Sequence, residues 1–290
     1  MKNIENIEEV LNQVIVGDCV EVMSKLPNNS IDLVITSPPY SVGINYDVYD
    51  DNTTINQYLE FSEKWLNETY RILKDDGRIC VNVPYEINLK ERGGRIFVVS
   101  EIWNVMKKLG YNWFGIIDLE EDSPHRSKTT AWGSWMSPSQ PYLYNPKECI
   151  IIAYKNSPKK LVKGEPQWKG EPTITEEGKT KMVYSDDDKK DFMELVFGQW
   201  KYLNDSRPMT KATFSMDIPT KAIKILSYKN DIVLDPFNGS GTSCVAAEIL
   251  DRRWIGIELS ENYANISRQR IQGFVNQKKQ QKLQFENGGQ

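Results

Sequence analysis

One stretch, residues 31–40 (IDLVITSPPY), limits what this chain can fold into more than any other. Its apolar, branched run from Leu33 to Ile35 predicts a buried strand. The strand must stop at Ser37-Pro38-Pro39, because proline has no N–H for a sheet ladder and biases the preceding residue toward extended geometry. Tyr40 follows this stiff elbow directly. Ligands bind beyond the carboxyl ends of strands in open α/β sheets, so the elbow is well placed to hold a flat polar group against Tyr40. The alternative is that it merely ends a strand before a surface tyrosine.

Short apolar segments alternate with segments of helical spacing along most of the chain. This alternation is typical of the α/β class and predicts a doubly wound, mostly parallel sheet. The further strands are predicted at Gln13 to Val16, Arg78 to Val83, Trp113 to Asp118, Glu148 to Tyr154, Asp231 to Asp235 and Trp254 to Glu258, and the helices at Val20 to Leu26, Ile55 to Leu73, Ile96 to Leu109, Ile218 to Ser227, Thr242 to Leu250 and Asn262 to Phe274.

A second stretch, residues 235–242 (DPFNGSGT), predicts a nucleotide-type turn after a buried strand. Its glycines let the backbone approach a ligand without a Cβ clash, and Glu258 after the next strand can take both hydroxyls of a ribose. A phosphate loop would need Gly-Lys-Ser/Thr, and Cys244 stands where a dinucleotide fingerprint has its third glycine. Carboxylates in place of anion-binding amides suit a ligand with a ribose and a cationic sulfonium, which is S-adenosylmethionine.

Together the two stretches resemble the amino-group DNA methyltransferases. In that family an S/D/N-P-P-Y/F tetrad grips an exocyclic amine and an F-x-G-x-G-T turn binds S-adenosylmethionine; the serine form of the tetrad is typical of enzymes that methylate N4 of cytosine. The tetrad precedes the turn here, as in the cyclically permuted β class, and the resemblance covers nearly all of residues 13–274. It implies the class I methyltransferase fold, with a seven-stranded sheet and an inserted target-recognition region.

The resemblance also implies a role for each motif residue. Ser37 Oγ and the Pro38 carbonyl would accept hydrogen bonds from the amine, while Tyr40 would stack on a base extruded from the duplex. Asp18 would accept from the adenine amine of the cofactor, although an acid at this position can equally cap the following helix. The catalytic set is Ser37, Pro38, Pro39 and Tyr40, and the cofactor set is Asp18, Thr36, Asp235 (methionine amine), Phe237, Asn238, Gly239, Gly241, Thr242 and Glu258 (ribose).

Two segments between the motifs are candidates for DNA contact. Residues 120–146 are too long for an ordinary connection and mix cations with aromatics, which suits phosphate contact and base stacking, or else a packed surface loop. Residues 155–206 begin with a lysine cluster, and the resemblance places target recognition there; the alternative is a solvated charged excursion. The predicted DNA contacts are Arg126, Lys128, Trp132, Trp135, Lys159 and Lys160.

Composition sets outer limits on this interpretation. The net charge is −4, so any DNA affinity depends on local Lys/Arg patches. The four cysteines are far apart, which argues against a zinc site or disulfides and for a reducing cytoplasm, and no apolar run approaches the roughly 18 residues of a membrane span. We expect a catalytic part at 1–154, the inserted target-recognition region at 155–206, a cofactor-binding part at 207–275 and a flexible tail at 276–290.

The leading hypothesis is a site-specific DNA methyltransferase that makes N4-methylcytosine in duplex DNA, within a restriction–modification system and beside a cognate restriction endonuclease. No Pro-Cys dipeptide exists in the chain, so the covalent route of cytosine-C5 enzymes is excluded. The runner-up is an N6-adenine DNA methyltransferase. Further alternatives are an S-adenosylmethionine enzyme that acts on RNA, protein or a small molecule, and a nucleotide-binding module without chemistry.

Overall fold

A mostly parallel sheet is the centre of the fold in the computed structural model, which describes residues 2–40, 47–48, 53–89, 94–121, 134, 136–141, 145, 147–203 and 214–287. In chain order the strands are β1 (Gln13–Val16), β2 (Ile31–Thr36), β3 (Leu73–Pro84), β4 (Glu86–Leu89), β5 (Gly94–Phe97), β6 (Asn112–Glu121), β7 (Glu148–Tyr154), β8 (Glu171–Ile174), β9 (Thr180–Val183), β10 (Gln199–Tyr202), β11 (Ile232–Asp235) and β12 (Arg253–Glu258). The helices are α1 (Cys19–Met23), α2 (Ile55–Ile72), α3 (Val98–Lys108), α4 (Asp186–Val196), α5 (Asp217–Leu226), α6 (Thr242–Ile249) and α7 (Glu261–Asn287).

The main sheet has eight strands among the described residues, in the order β1-β12-β11-β2-β3-β7-β6-β10. Only β7 is antiparallel to its neighbours there, and the other pairs are parallel. The predicted fold class is therefore confirmed, with eight strands in place of seven. The additional strand is β10, which pairs with β6 and places the 2% exposed Trp200 in the core. We call the edge where the parallel strands end the carboxyl edge, and the opposite edge the amino edge.

Helices cover both faces of the sheet, which explains why all six residues of β2 are buried. Val34 of β2 belongs to one hydrophobic core, and Leu33 and Ile35 belong to the other. Because helices cover both faces, side chains on either side of β2 meet apolar surroundings, which accounts for the continuous apolar run from Leu33 to Ile35. The first core includes Met23, Trp65, Leu66, Ile102 and Met106 from α1, α2 and α3, and the second includes Ala222, Ile223, Val245, Ala246, Ala264 and Ile271 from α5, α6 and α7.

Helix α2 forms where its apolar spacing predicts it and has a well-defined start. Thr54 Oγ1 accepts from the Gln57 N–H at 3.3 Å, while Gln57 Oε1 accepts from the Thr54 N–H at 3.0 Å, a reciprocal capping box. The helix passes straight into β3, so residues 74–77, between the predicted helix and the strand predicted from Arg78, lie inside that strand. One reason is that Asp76 is 6% exposed and accepts a hydrogen bond from the Leu161 N–H, which holds this polar segment against the core.

Residues 155–203 carry the chain from the amino edge back to the carboxyl edge. The β8–β9 hairpin is followed by α4, which packs on α5, and β10 then joins the main sheet. Partly buried contacts fix this path: Arg252 donates to Gln167 Oε1 at 2.8 Å, and Trp168 Nε1 donates to Asp191 at 3.0 Å. The predicted insertion is thus anchored on the helical layer and contributes a strand to the sheet.

Helix α7 continues to Asn287, whereas the sequence predicts a helix end near Phe274 and a frayed tail. Lysine and glutamine are good helix formers, and no proline interrupts the segment. Lys278 Nζ also donates to the Glu248 carbonyl at 2.9 Å and to Asp251 at 2.6 Å, which ties the extension to α6. This helix is long but polar, and no helix in the described ranges combines the length and apolar character needed to cross a bilayer.

Candidate active site

The two motif strands are neighbours in the sheet. β2 and β11 run parallel, with Val233 beside Leu33 and Leu234 beside Val34. Thr36 Oγ1, at the end of β2, donates to Asp235 Oδ1 at 2.7 Å, at the end of β11. Both loops therefore leave the sheet at the carboxyl edge, where the tetrad and the glycine-rich turn come together.

The tetrad is held by hydrogen bonds to β3. Ser37 Oγ lies 2.6 Å from the Tyr40 hydroxyl. That hydroxyl donates to the Asn82 carbonyl at 3.0 Å and accepts from Asn82 Nδ2 at 2.9 Å. Pro38 is buried, whereas Ser37 and Tyr40 are half-buried. The phenol of Tyr40 is thus part of a polar network as well as an aromatic surface.

Two residues of this network, Asn82 and Glu148, were not singled out from the sequence. Asn82 is 3% exposed within the apolar run of β3, and its Nδ2 donates to Glu148 Oε2 at 2.7 Å. Glu148 is the first residue of β7 and lies on the carboxyl edge because β7 runs opposite to β3. Burial raises the pKa of Glu148, and the bond from Asn82 opposes that shift. A lone polar residue near the end of a strand beside the motif strand was the available signal for Asn82.

A second carboxylate, that of Glu258, lies against the glycine-rich turn at the carboxyl edge. Glu258, at the end of β12, accepts from the Gly239 N–H at 2.7 Å and from the Ser260 N–H at 2.9 Å. Gly239 and Gly241 have φ values of 50° and 81°, which a residue with a Cβ rarely adopts. Burial raises the pKa of Glu258.

Asp235 is buried without a cationic partner among the described residues. Its carboxylate is 4% exposed and accepts from Thr36 and from the Phe237 N–H at 3.1 Å. Burial raises its pKa to about 6, although these hydrogen bonds oppose the shift. A buried carboxylate of this kind suits a cationic ligand group, and the Glu258 carboxylate beside it suits hydroxyls. The donor set therefore fits S-adenosylmethionine, which carries an amine, a sulfonium and a ribose.

Other predicted cofactor residues shape the turn through contacts inside the protein. Asn238 Nδ2 donates to Ser267 Oγ at 2.8 Å, and Asn238 Oδ1 accepts from Cys244 Sγ at 3.0 Å. Thr242 Oγ1 accepts from Arg270 at 2.8 Å. The ring of Phe237 packs edge-on against Phe61 and Trp65 of α2, with centroid distances of 5.9 and 5.4 Å.

Asp18 has the capping role that was one of its two predicted alternatives. Its Oδ1 accepts from the Val20 and Glu21 N–H groups at 2.9 and 3.0 Å, which caps α1. It also lies close to Glu258, because Val16 pairs with Glu258 and the Gly17 N–H donates to the Glu258 carbonyl at 3.0 Å. The cap uses one carboxylate oxygen, so the predicted contact with the adenine amine is compatible with it and stays a prediction.

The candidate DNA contacts are not brought to this site by the described residues. Arg126, Lys128, Trp132 and Trp135 lie outside the part of the chain that the structure describes. The exposed Lys159 and the half-buried Lys160 follow β7 and lie at the amino edge. Lys160 Nζ is 3.5 Å from Asp32 and 3.3 Å from Asp231, and its side chain is 8% exposed. The charge of Lys160 is thus paired inside the protein, and its predicted phosphate contact stays a prediction.

Comparisons with known proteins identify the family of the chain. The model of the N6/N4-type DNA methylase family matches residues 31–269. The Type II methyltransferase M.MjaVI of Methanocaldococcus jannaschii is 38% identical over 182 residues, 63% of this chain and 81% of that protein.

Two solved structures share the fold. TTHA0409 of Thermus thermophilus, complexed with S-adenosyl-L-methionine, has a TM-score of 0.65 at 22% identity and covers 91% of this chain and 94% of its own. The PvuII DNA methyltransferase (cytosine-N4-specific) has a TM-score of 0.63 at 17% identity, with 91% and 90% coverage. At these identities the likeness establishes the fold alone. Because the family match spans most of the chain, the protein belongs to the N6/N4-type DNA methylases, which methylate amino groups of DNA bases with S-adenosylmethionine.

Proposed function

We propose that this chain methylates N4 of cytosine at specific sites in duplex DNA, by base flipping and direct methyl transfer. The observation that carries the proposal is the serine at the first position of the tetrad, Ser37. A hydroxyl oxygen at the end of β2 is an acceptor for one amine N–H without being a strong base. The carbonyl of Pro38 is the candidate acceptor for the second N–H.

The chemistry requires the lone pair of the exocyclic nitrogen to be localised, because in the free base it is delocalised into the ring. Hydrogen bonds from both N–H groups to fixed oxygens of Ser37 and Pro38 favour this state and stabilise the nitrogen as it becomes cationic. The methyl group would pass directly to the nitrogen as its bond to the cofactor sulfur breaks, leaving a thioether, so no covalent enzyme intermediate is needed. The methylated nitrogen would then lose a proton to solvent water. Tyr40 supplies an aromatic surface for a base that has left the duplex.

S-adenosylmethionine supplies the electrophilic methyl group when it is bound. We assign the methionine amine to Asp235, the ribose hydroxyls to Glu258 and the adenine amine to Asp18. The unpaired, buried charge of Asp235 among the described residues supports the first assignment. The hydrogen bond between Thr36 and Asp235 supports a short path from the cofactor to the tetrad.

Target recognition and restriction–modification are parts of the same proposal. Residues 120–146 supply Arg126, Lys128, Trp132 and Trp135 for phosphate and base contacts, and residues 155–206 form the recognition region. Leu119 and Glu148, which flank the first segment, pair at the carboxyl edge, which supports its role. The Type II designation of M.MjaVI supports a cognate restriction endonuclease for this chain.

The test is to incubate the purified protein with duplex DNA and methyl-labelled S-adenosylmethionine, digest the DNA to nucleosides and separate them. We expect labelled N4-methylcytosine. Labelled N6-methyladenine would instead show that adenine is the target base, since the family includes both activities. Labelling of RNA but not duplex DNA would contradict the DNA substrate. Mapping of modified bases in DNA from cells that express the chain would then give the recognition sequence.

A further inference from the structure

We propose that Glu148 is a positioning residue for methyl transfer, which acts on Ser37 through Asn82 and the hydroxyl of Tyr40. The inference depends on amino-group methylation at the tetrad, whichever base is the target. It assigns a function to a residue more than a hundred positions away from the tetrad in the sequence.

The first step follows from the single proton of the Tyr40 hydroxyl. The Asn82 carbonyl can only accept, so Tyr40 must donate its proton there, at 3.0 Å. Asn82 Nδ2 can only donate, so Tyr40 accepts from it, at 2.9 Å. The remaining contact, at 2.6 Å, must then be a hydrogen bond that Ser37 donates to Tyr40. The hydroxyl proton of Ser37 is thereby held away from the substrate, and the lone pairs of Oγ are left to accept from an amine.

The second step follows from the two protons of the Asn82 amide. One goes to Tyr40, and the other goes to Glu148 Oε2 at 2.7 Å. The contact from Nδ2 to Ser37 Oγ is much longer, 3.5 Å, and adds little. Rotation of the amide by half a turn would place Asn82 Oδ1 against the carboxylate of Glu148. The charge of Glu148 therefore selects the orientation in which Asn82 donates to Tyr40.

The chain of hydrogen bonds thus begins at Glu148 and ends at Ser37. Without Glu148, the amide of Asn82 loses the partner that fixes its orientation, and its oxygen can face the Tyr40 hydroxyl in place of Nδ2. Tyr40 then loses the donor that holds its hydroxyl, so Ser37 Oγ, which is bonded to that hydroxyl, is less firmly placed, and an N–H of the bound base meets it at a longer or less linear geometry part of the time. Misplacement on this scale affects the transfer step and leaves ground-state binding largely unchanged.

A structural role for Glu148 would also make its replacement harmful, so the test must separate the two. Tyr40→Phe keeps the aromatic ring but removes the hydroxyl that connects Asn82 to Ser37. If Glu148 acts through that hydroxyl, Glu148→Ala has an effect in the wild-type background and almost none in the Tyr40→Phe background. Glu148→Gln keeps the size and an acceptor for Asn82 but not the charge. Glu60→Gln is the matched control, an exposed glutamate of α2 with no proposed role at the site.

The measurement is the single-turnover rate of methyl transfer to DNA at saturating cofactor and DNA, with cofactor and DNA Kd values and thermal unfolding recorded for every variant. We expect Glu148→Ala to lower the rate about tenfold or more in the wild-type background and less than about twofold after Tyr40→Phe. Glu148→Gln should lose less than Glu148→Ala, and Glu60→Gln should match the wild type. If Glu148→Ala does not fold, the Glu148→Gln and Tyr40→Phe cycle gives the same comparison.

Equal losses in the two backgrounds, no loss in the wild-type background, or a loss explained entirely by weaker binding would overturn the inference. These outcomes differ from failure of the proposed function. A wild-type enzyme that methylates N6 of adenine leaves the role of Glu148 open to the same cycle, whereas a protein that transfers no methyl group to DNA refutes the site itself.

Discussion

Thr36 and Asp235, 199 residues apart in the sequence, are joined by a buried hydrogen bond of 2.7 Å between Oγ1 and Oδ1. The bond connects the residue immediately before the tetrad to the carboxylate that begins the glycine-rich turn. A change in the protonation or position of one side chain is therefore felt directly by the other. The relationship explains why a threonine, rather than another branched apolar residue, completes β2.

Replacement of Thr36 by valine should weaken cofactor binding and stability together. The hydroxyl lowers the pKa of Asp235, so its loss raises that pKa further above about 6 and reduces the fraction of carboxylate at neutral pH. We expect a loss of about 1–3 kcal/mol in the free energy of unfolding, because a buried acceptor loses its donor. Titration calorimetry and denaturant unfolding measure the two effects. Thr36→Ser is the control and should keep most of the affinity; equal losses in both variants would contradict the role of the hydroxyl.

The affinity for S-adenosylmethionine should depend on the ionisation of Asp235. Its pKa in the free protein is raised from 3.8 to about 6, so below that pH the group is neutral and cannot pair with the methionine amine. We expect Kd to be constant near pH 8 and to rise by up to about tenfold per pH unit below pH 6. Asp235→Asn should bind weakly at every pH and remove this dependence. A flat pH profile in the wild type would exclude Asp235 as the partner of the amine.

Ionisation of Asp235 should favour cofactor binding but lower the stability of the cofactor-free protein. The folded-state pKa of Asp235 lies above its unfolded value, so the folded state holds the proton more tightly between pH 3.8 and about 6. The contribution of this group to the free energy of unfolding is therefore present at low pH and is lost as the pH rises through 6. Asp235→Asn should stabilise the cofactor-free protein at pH 8, which denaturant unfolding can measure. Equal stability of the two proteins at pH 8 would show that ionised Asp235 carries no penalty.

Ser37→Ala should reduce methyl transfer without affecting cofactor binding. The substitution removes one acceptor for the amine in the transition state, and loss of such a contact typically costs about 100- to 1,000-fold in rate. The single-turnover rate with duplex DNA and the cofactor Kd separate chemistry from binding. Ser24→Ala, at an exposed position just after α1, is the matched control and should keep the wild-type rate. A wild-type rate for Ser37→Ala would refute the assignment of the tetrad.

Lys160→Ala should destabilise the protein far more than Lys159→Ala. The ammonium of Lys160 compensates Asp32 and Asp231, whose side chains are 6% and 17% exposed. Its removal leaves buried negative charge, which should lower the free energy of unfolding by about 3 kcal/mol. The loss is not larger because Lys74 still pairs with Asp32 at 2.8 Å. Lys159 is exposed, so its removal should cost less than about 0.5 kcal/mol. Denaturant unfolding distinguishes the two, and similar values would show that the buried cluster contributes little.

Local patterns predicted the strands and helices that lie between strong boundaries. The prolines after Thr36 end β2, and the apolar spacing of α2 places that helix within a residue of its observed end. Patterns were weaker where non-local pairing decides the structure. Residues 199–202 become a strand because they pair with the outer side of β6. No local signal in that short segment reveals this pairing.

The residues of the candidate site divide in the same way, into those that local motifs mark and those that strand pairing brings in. The tetrad and the turn are short motifs and could be located directly, and the alternation of strands and helices predicts that they meet at one edge. Asn82 and Glu148 enter the site through the register between β3 and β7, which has no counterpart in sequence spacing. For Lys160 the lysine-rich composition indicated phosphate binding, whereas the partners that neutralise it come from β2 and the start of β11.

Because β7 runs in the reverse direction, residues inserted before it and residues inserted after it would lie at opposite edges of the sheet. Because β6 ends and β7 begins at the same edge, the length of chain between Glu121 and Glu148 can vary without shifting any strand register. Residues added there would lie beside the tetrad, whereas residues added after Tyr154 would emerge on the far side of the sheet. The connector between β6 and β7 is therefore a place where the surroundings of the tetrad can be varied while the strands that carry the tetrad and the glycine-rich turn stay in register.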